Sequence, residues 1–209
     1  MALSTVVLEH VNKLPYFSVD NLKVLDVPAY HLRIVLSRLE KAGKIVRLKK
    51  GLYASAKHID TARMGGTFTA YAEFLATKIY APCYLSLEYV LYESNVLTEV
   101  PTNYTLVTRN KTYTVTNKIG VFVYHKIKDA LYCGYRTVKK NGYLYHKAER
   151  AKALFDFLYF RKNIILNRQT AEELRLNLHV YNKTELRSLY KYADIERSGK
   201  MRKIISFLF

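Results

Sequence analysis

Side chains that could bind an anion are concentrated between residues 30 and 50. Lys and Arg pair with phosphate oxygens, and Arg can also donate two parallel hydrogen bonds to guanine O6 and N7. Tyr, His and Ser can donate to base edges or phosphates. The chemistry of this set is binding to a polyanion rather than bond making. Its members are Tyr30, His31, Arg33, Ser37, Arg38, Lys41, Arg47, Lys49 and Lys50.

A predicted helix positions six of these residues. It opens at Val27-Pro28, because proline suits a first turn, and ends at Gly43. Its apolar stripe would pack into the core and leave the opposite face free to enter a major groove about 12 Å wide. On that face Arg33 is the best candidate for a base contact, and Ile34 could meet a thymine methyl. The stripe consists of Leu32, Val35, Leu36 and Leu39.

A basic hairpin is predicted to follow this helix. Strands at 44–48 and 52–54 are joined by Lys49-Lys50-Gly51, where glycine gives the backbone freedom at the tip. With helices at 3–14 and 19–25 before it, this order predicts a winged helix-turn-helix over residues 1–57. Arg47, Lys49 and Lys50 would then meet phosphates. The open alternative is a protein-binding module whose charged helix face is solvated.

The remainder, residues 67–209 after a linker at 56–66, is predicted to be an α+β domain. Runs rich in Thr, Val, Tyr and Ile across 103–146 indicate a central antiparallel or mixed sheet, which we expect to be largely antiparallel. Cys83–Leu85 is a further short extended run. Helices are predicted at 69–80, 86–94, 146–160, 170–178, 183–192 and 199–207.

Composition favours a folded protein with a polyanionic partner. The net charge is +17, from 34 Lys+Arg against 17 Asp+Glu, and half the residues are apolar. We find no signal peptide and no apolar run long enough to span a membrane, so a cytoplasmic protein is expected. Cys83 and Cys133 are expected to be reduced thiols, and no metal or other cofactor is indicated.

Sequence motifs for catalysis are missing, so we do not expect an enzyme. There is no P-loop, HExxH or GxSxG, and the six histidines share no spacing. Asp129, Glu149 and Asp156 are the acids that a nuclease linked to a winged helix would use. The 19 tyrosines leave a second alternative, a protein that stacks single-stranded nucleic acid or RNA.

Three stretches resemble the AbiEi antitoxins, the transcriptional regulators of type IV toxin–antitoxin (AbiE) systems that act in abortive infection. The similarity covers roughly residues 1–165, and Arg150-Ala151 replaces the Pro-Glu usual before the lysine of the third stretch. The first stretch matches at Leu36, Arg38-Leu39, Gly43, Arg47 and Gly51-Leu52-Tyr53. The second matches at Pro82, Tyr84, Leu85, Ser86 and Leu91. The third matches at Lys152, Ala153, Leu154 and Asp156.

The resemblance implies a sequence-specific autorepressor that binds repeats in its own promoter. It also implies an antitoxin that counters a nucleotidyltransferase-type toxin without forming a stable complex with it. A monomer that oligomerises on DNA fits these partners.

Two further expectations concern the second domain. Tyr84, Leu85 and Leu91 are expected to be core, and Lys152 and Asp156, four residues apart, are expected to form a surface ion pair; a direct antitoxic contact is the alternative for these segments. Basic residues would extend the DNA-facing surface, at Lys139-Lys140, Lys147, Arg150, Arg161-Lys162 and 200–203.

Overall fold

The computed structural model describes residues 2–209 and has two sheets with helices before, between and after their strands. The predicted α+β class is therefore confirmed. The chain divides into two units. The first holds the described residues through Ile79 and the segment Val115–Gly120, and the second holds Tyr80–Thr114 and Val121–Phe209.

The first unit contains helices and one small, three-stranded antiparallel sheet. The short helix predicted at Val19–Leu25 is present and is a 3-10 helix. The α-helices are α1 (Leu3–Val11), α2 (Ala29–Lys41), α3 (Ala56–Met64) and α4 (Phe68–Ile79). The strands are β1 (Phe17–Ser18), β2 (Ile45–Lys49) and β3 (Leu52–Ser55), and their order across the sheet is β1-β3-β2.

Apolar side chains from α1, the 3-10 helix, α2 and the sheet form one core in this unit. The leucines of the α2 stripe enter it, as their helical spacing predicts. Burial of this stripe fixes which face of α2 remains outside. The buried members are Val7, Val11, Phe17, Leu22, Leu32, Leu36, Leu39 and Ile45.

The prediction of a linker at 56–66 is wrong, because most of this segment is helix α3. Ile59 and Ala62, three residues apart, are its buried side chains. Such a short apolar stripe among charged residues gives a weak periodic signal. The glycines that suggested a linker follow the helix, and Gly66 has a φ of +66°.

The second unit contains most of a six-stranded sheet. Its strands are β4 (Cys83–Leu85), β5 (Tyr104–Thr108), β6 (Tyr113–Asn117), β7 (Gly120–Lys126), β8 (Tyr135–Lys140) and β9 (Tyr143–Ala148). Their order across the sheet is β6-β7-β5-β4-β9-β8. Its α-helices are α5 (Leu87–Glu93), α6 (Arg150–Arg161), α7 (Arg168–Glu172), α8 (Lys183–Glu196) and α9 (Gly199–Leu208). Short 3-10 helices lie at Asp129–Leu131 and Leu178–Val180.

The sheet is mixed, which is one of the two arrangements, antiparallel or mixed, that the sequence predicts. β4–β5 and β8–β9 run antiparallel, whereas β4–β9 and β5–β7 run parallel. Strand-forming residues indicate that a strand exists but not which distant strand it pairs with. No helix within residues 2–209 is long and apolar enough to cross a membrane.

Candidate nucleic-acid interface

The two ends of α2 are defined by local backbone chemistry. Pro28 has a φ of −53° and directly precedes the first helical residue. At the other end, the Gly43 N–H donates to the Glu40 carbonyl at 3.0 Å and the Lys44 N–H donates to the Leu39 carbonyl at 2.9 Å. Gly43 adopts a φ of +69°, the left-handed conformation that glycine tolerates best. This turn leads the chain directly into β2.

The outward face of α2 carries the predicted binding residues. Leu32 and Leu36 are 1% exposed, whereas Tyr30 is 59% and Ile34 is 47% exposed. Because the leucine stripe is buried, the opposite side chains are available to a partner. The exposed set on this helix is Tyr30, His31, Arg33, Ile34, Ser37, Arg38 and Lys41.

The β2–β3 hairpin presents its cations beside a tight turn. Arg47 is opposite Tyr53 and Lys49 is opposite Leu52, so the register is irregular between the two basic residues. Gly51, with a φ of +81°, completes the turn. Arg47 and Lys50 are exposed, whereas Lys49 is half-buried.

Aromatic packing holds the returning strand in place. Tyr53 stacks on the buried Phe17 with ring centroids 5.6 Å apart. Leu52 is also buried. The hairpin therefore has an apolar base and a charged tip.

Helix and hairpin meet at one groove of about 890 Å³ within the first unit. Arg33 from α2 lines it together with Arg47 and Lys50 from the hairpin. Lys23 and Asp20 of the 3-10 helix also line it and pair with each other at 2.7 Å. Cations outnumber acids among these lining residues, so the groove favours an anionic ligand.

The groove collects only part of the predicted set. The predicted residues outside its lining are Tyr30, His31, Ser37, Arg38, Lys41 and Lys49. Sequence reasoning missed Lys23 and Asp20, which lie on the preceding element. The signal that could have identified Lys23 is the presence of a basic residue on the helix directly before the predicted DNA-binding helix.

The three acids that a nuclease would use lie in three different environments. Asp129 is exposed and pairs with Arg109 at 3.0 Å. Glu149 is exposed at the start of α6, and Asp156 is fully buried within that helix. Among residues 2–209, no three His, Cys, Asp or Glu side chains lie close enough to hold a metal ion.

Asp156 belongs instead to a buried polar cluster. Its Oδ1 accepts from Lys152 Nζ at 2.5 Å, and its Oδ2 accepts from Ser86 Oγ at 2.8 Å and Tyr84 OH at 3.1 Å. Both charged side chains are 0% exposed, so the prediction that they form a surface ion pair is wrong. Burial raises the pKa of Asp156, while Lys152 and the two hydroxyl hydrogen bonds act in the opposite direction.

Most basic residues proposed to extend the surface in the second unit have acidic or polar partners. Lys147 pairs with Glu93 at 2.7 Å and Lys162 with Glu196 at 2.8 Å. Arg150 pairs with Glu185, Arg161 with Glu88, and Arg202 with Asp194; Lys200 Nζ donates to Asn163. Lys139 and Lys140 are exposed on β8, an edge strand of the six-stranded sheet.

No protein-family model matches the chain, and no curated protein matches it significantly. The proposed DNA binding therefore depends on these residues and their geometry, and the proposed cellular role depends on the AbiEi resemblance of the sequence.

Proposed function

We propose that the first unit is a winged helix-turn-helix that binds duplex DNA. In this proposal α2 is the recognition helix and the β2–β3 hairpin is the wing. The observation that supports it most is the groove lined jointly by Arg33, Arg47 and Lys50. A cationic helix and a cationic hairpin that share a groove match two features of duplex DNA, its base edges and its phosphates.

The two elements have different tasks in this mechanism. The exposed face of α2 enters the major groove, where Arg33 donates two hydrogen bonds to a guanine. Ser37 and Tyr30, exposed on the same helix, add contacts to base edges or phosphates. Arg47 and Lys50 bind phosphates beside the groove, which adds affinity but little sequence information.

The resemblance to AbiEi antitoxins adds a cellular role to this proposal. The chain would repress its own promoter by occupying repeats there, and would counter a nucleotidyltransferase-type toxin without a stable complex. We assign operator binding to the first unit and the antitoxic role to the α+β region that follows. Such a regulator acts in the cytoplasm, where the promoter and the toxin are found.

Replacement of Arg33 by Ala tests the proposed base contact. Loss of one bidentate Arg–guanine pair should weaken binding to the preferred DNA by about 5- to 150-fold, because such a pair contributes about 1–3 kcal/mol. The measurement is a gel shift with the DNA upstream of the protein's own gene, against random duplex.

The matched control is Lys57→Ala, which removes an exposed cation from α3 outside the Arg33 groove. It should leave the preference unchanged. If the wild-type protein binds upstream DNA and random duplex equally well, the repressor proposal is wrong.

A further inference from the structure

Two apolar side chains are exposed within the cationic face of α2. Tyr30 and Ile34 are 59% and 47% exposed. They are four residues apart, so they lie on the same face about 6 Å from each other along the helix axis. Single exposed apolar residues are common on protein surfaces, but Arg33 lies between the members of this pair in sequence and Ser37 follows Ile34.

The composition of this face restricts its partner. Arg33, Arg38 and Lys41 favour an anionic surface, whereas Ile34 and the aromatic ring of Tyr30 gain from contact with apolar atoms. A second copy of the chain, itself at +17, would bring like charges together. The partner must therefore be a polyanion that presents apolar groups at its recognition surface.

Duplex DNA has such a group in its major groove, the C5-methyl of thymine. RNA carries uracil without this methyl, and its major groove is too deep and narrow for side chains to read. We propose that Tyr30 and Ile34 contact thymine methyls, next to the guanine bound by Arg33. This proposal rests on the DNA-binding function above and adds the base that the apolar pair selects.

The spacing of the pair sets the geometry of the site. Successive base pairs rise about 3.4 Å, so side chains about 6 Å apart along the helix reach methyls about two steps apart. The selected site should contain thymines at that separation beside a guanine. The same contacts make the protein prefer DNA to RNA of equivalent sequence.

Replacement of thymine by deoxyuridine tests the inference without changing hydrogen bonding. The full chain first selects its preferred duplex from a library of random DNA duplexes, and that duplex is then made again with deoxyuridine. Affinity should fall about fourfold per contacted methyl, the factor that corresponds to one buried methylene-sized group.

Ile34→Ala supplies the second arm. Alanine suits an exposed helix position, so the variant should fold normally. It should bind the thymine duplex more weakly than wild type and discriminate less between thymine and deoxyuridine. Met64→Ala is the matched control, since Met64 is an 89% exposed apolar residue on α3 and should keep the wild-type discrimination.

Three outcomes would overturn the inference, and they can be told apart. A selected duplex that binds equally well with thymine and deoxyuridine removes methyl contact but leaves DNA binding intact. Full wild-type discrimination by Ile34→Ala removes this residue from the contact. Failure to enrich any duplex over the random library overturns the proposed function as well.

Discussion

Lys152 and Asp156 lie one turn apart on α6, and both side chains are fully buried. Transfer of two charges out of water is costly, so the pair depends on its mutual attraction and on hydrogen bonds to the remaining lone pairs. Ser86 and Tyr84 supply those bonds to Asp156 from outside α6. Burial together with Asp156 raises the pKa of Tyr84, so its hydroxyl remains a donor. The cluster thereby links α6 to the β4–α5 segment.

Asp156→Asn should strongly destabilise the protein, because Lys152 would remain charged and buried without its counter-ion. We expect a loss of about 3–5 kcal/mol in the free energy of unfolding, measured by urea denaturation. Lys152→Met combined with Asp156→Leu should lose much less. Asp194→Asn, in an exposed pair with Arg202, is the control and should cost under about 1 kcal/mol. A double variant as unstable as Asp156→Asn would contradict this account.

Burial explains why sequence reasoning described α2 well and α6 less well. A leucine stripe predicts which face of α2 is inside, since apolar residues at helical spacing have one sensible orientation. Lys152 and Asp156 have the spacing of an exposed ion pair, and nothing within α6 indicates that Ser86 and Tyr84 will satisfy them. The predicted start of α6 was also too early, because His146 belongs to β9.

Long-range pairing was likewise outside what local sequence can give. The β2–β3 and β8–β9 hairpins follow from short turns, at Lys50-Gly51 and Asn141-Gly142, between strand-like runs. The parallel partners of β4 and β5 depend on segments far along the chain. Similarly, the Arg33–Arg47–Lys50 part of the candidate site was predictable from its helix and hairpin, whereas Lys23 required the packed unit.

The start of α8 is also linked to α6, through side-chain hydrogen bonds between Arg150 and Glu185. The Asn182 side chain accepts from the Glu185 N–H at 2.9 Å, and Glu185 in turn accepts from the Asn182 N–H at 3.0 Å, which forms a capping box. Arg150 donates two hydrogen bonds to the same Glu185 carboxylate, at 2.8 and 2.7 Å. Partial burial acts to raise the pKa of Glu185, but these hydrogen bonds prevail and lower it.

Glu185→Gln should therefore cost about 1–2 kcal/mol in the free energy of unfolding at pH 7. A carboxylate with a lowered folded-state pKa stabilises the fold above its unfolded-state pKa, about 4.3, and loses that contribution as the pH falls through the folded-state value. The difference between wild type and variant should thus shrink in acid. Urea denaturation from pH 7 to pH 3 measures it.

Glu172→Gln is the control for this series. Glu172 pairs with Arg168 on an exposed helix face, with side chains 65% and 74% exposed, so its loss should change stability little at any pH. A Glu185→Gln effect that stays constant into acid would show that the charge of the carboxylate is not what stabilises α8.

For the molecule as a whole, the proposal gives the two units separate tasks. The cations that support DNA binding, Arg33, Arg47 and Lys50, all belong to the first unit. The Lys152–Asp156 cluster and two of the three stretches that resemble AbiEi antitoxins belong to the second. Repression and protection from a toxin should therefore respond to different substitutions.

Arg33→Ala should weaken repression and retain antitoxicity, because Arg33 is exposed and its loss leaves the core of both units unchanged. The measurement pairs a promoter reporter with growth of cells that express a nucleotidyltransferase-type toxin. Expression of each variant from an independent promoter separates the two readouts. Asp156→Asn serves as the opposite case and should lose protection through instability of the second unit. Loss of both activities in Arg33→Ala at normal protein abundance would show that antitoxicity depends on DNA binding, and the division of tasks would be wrong.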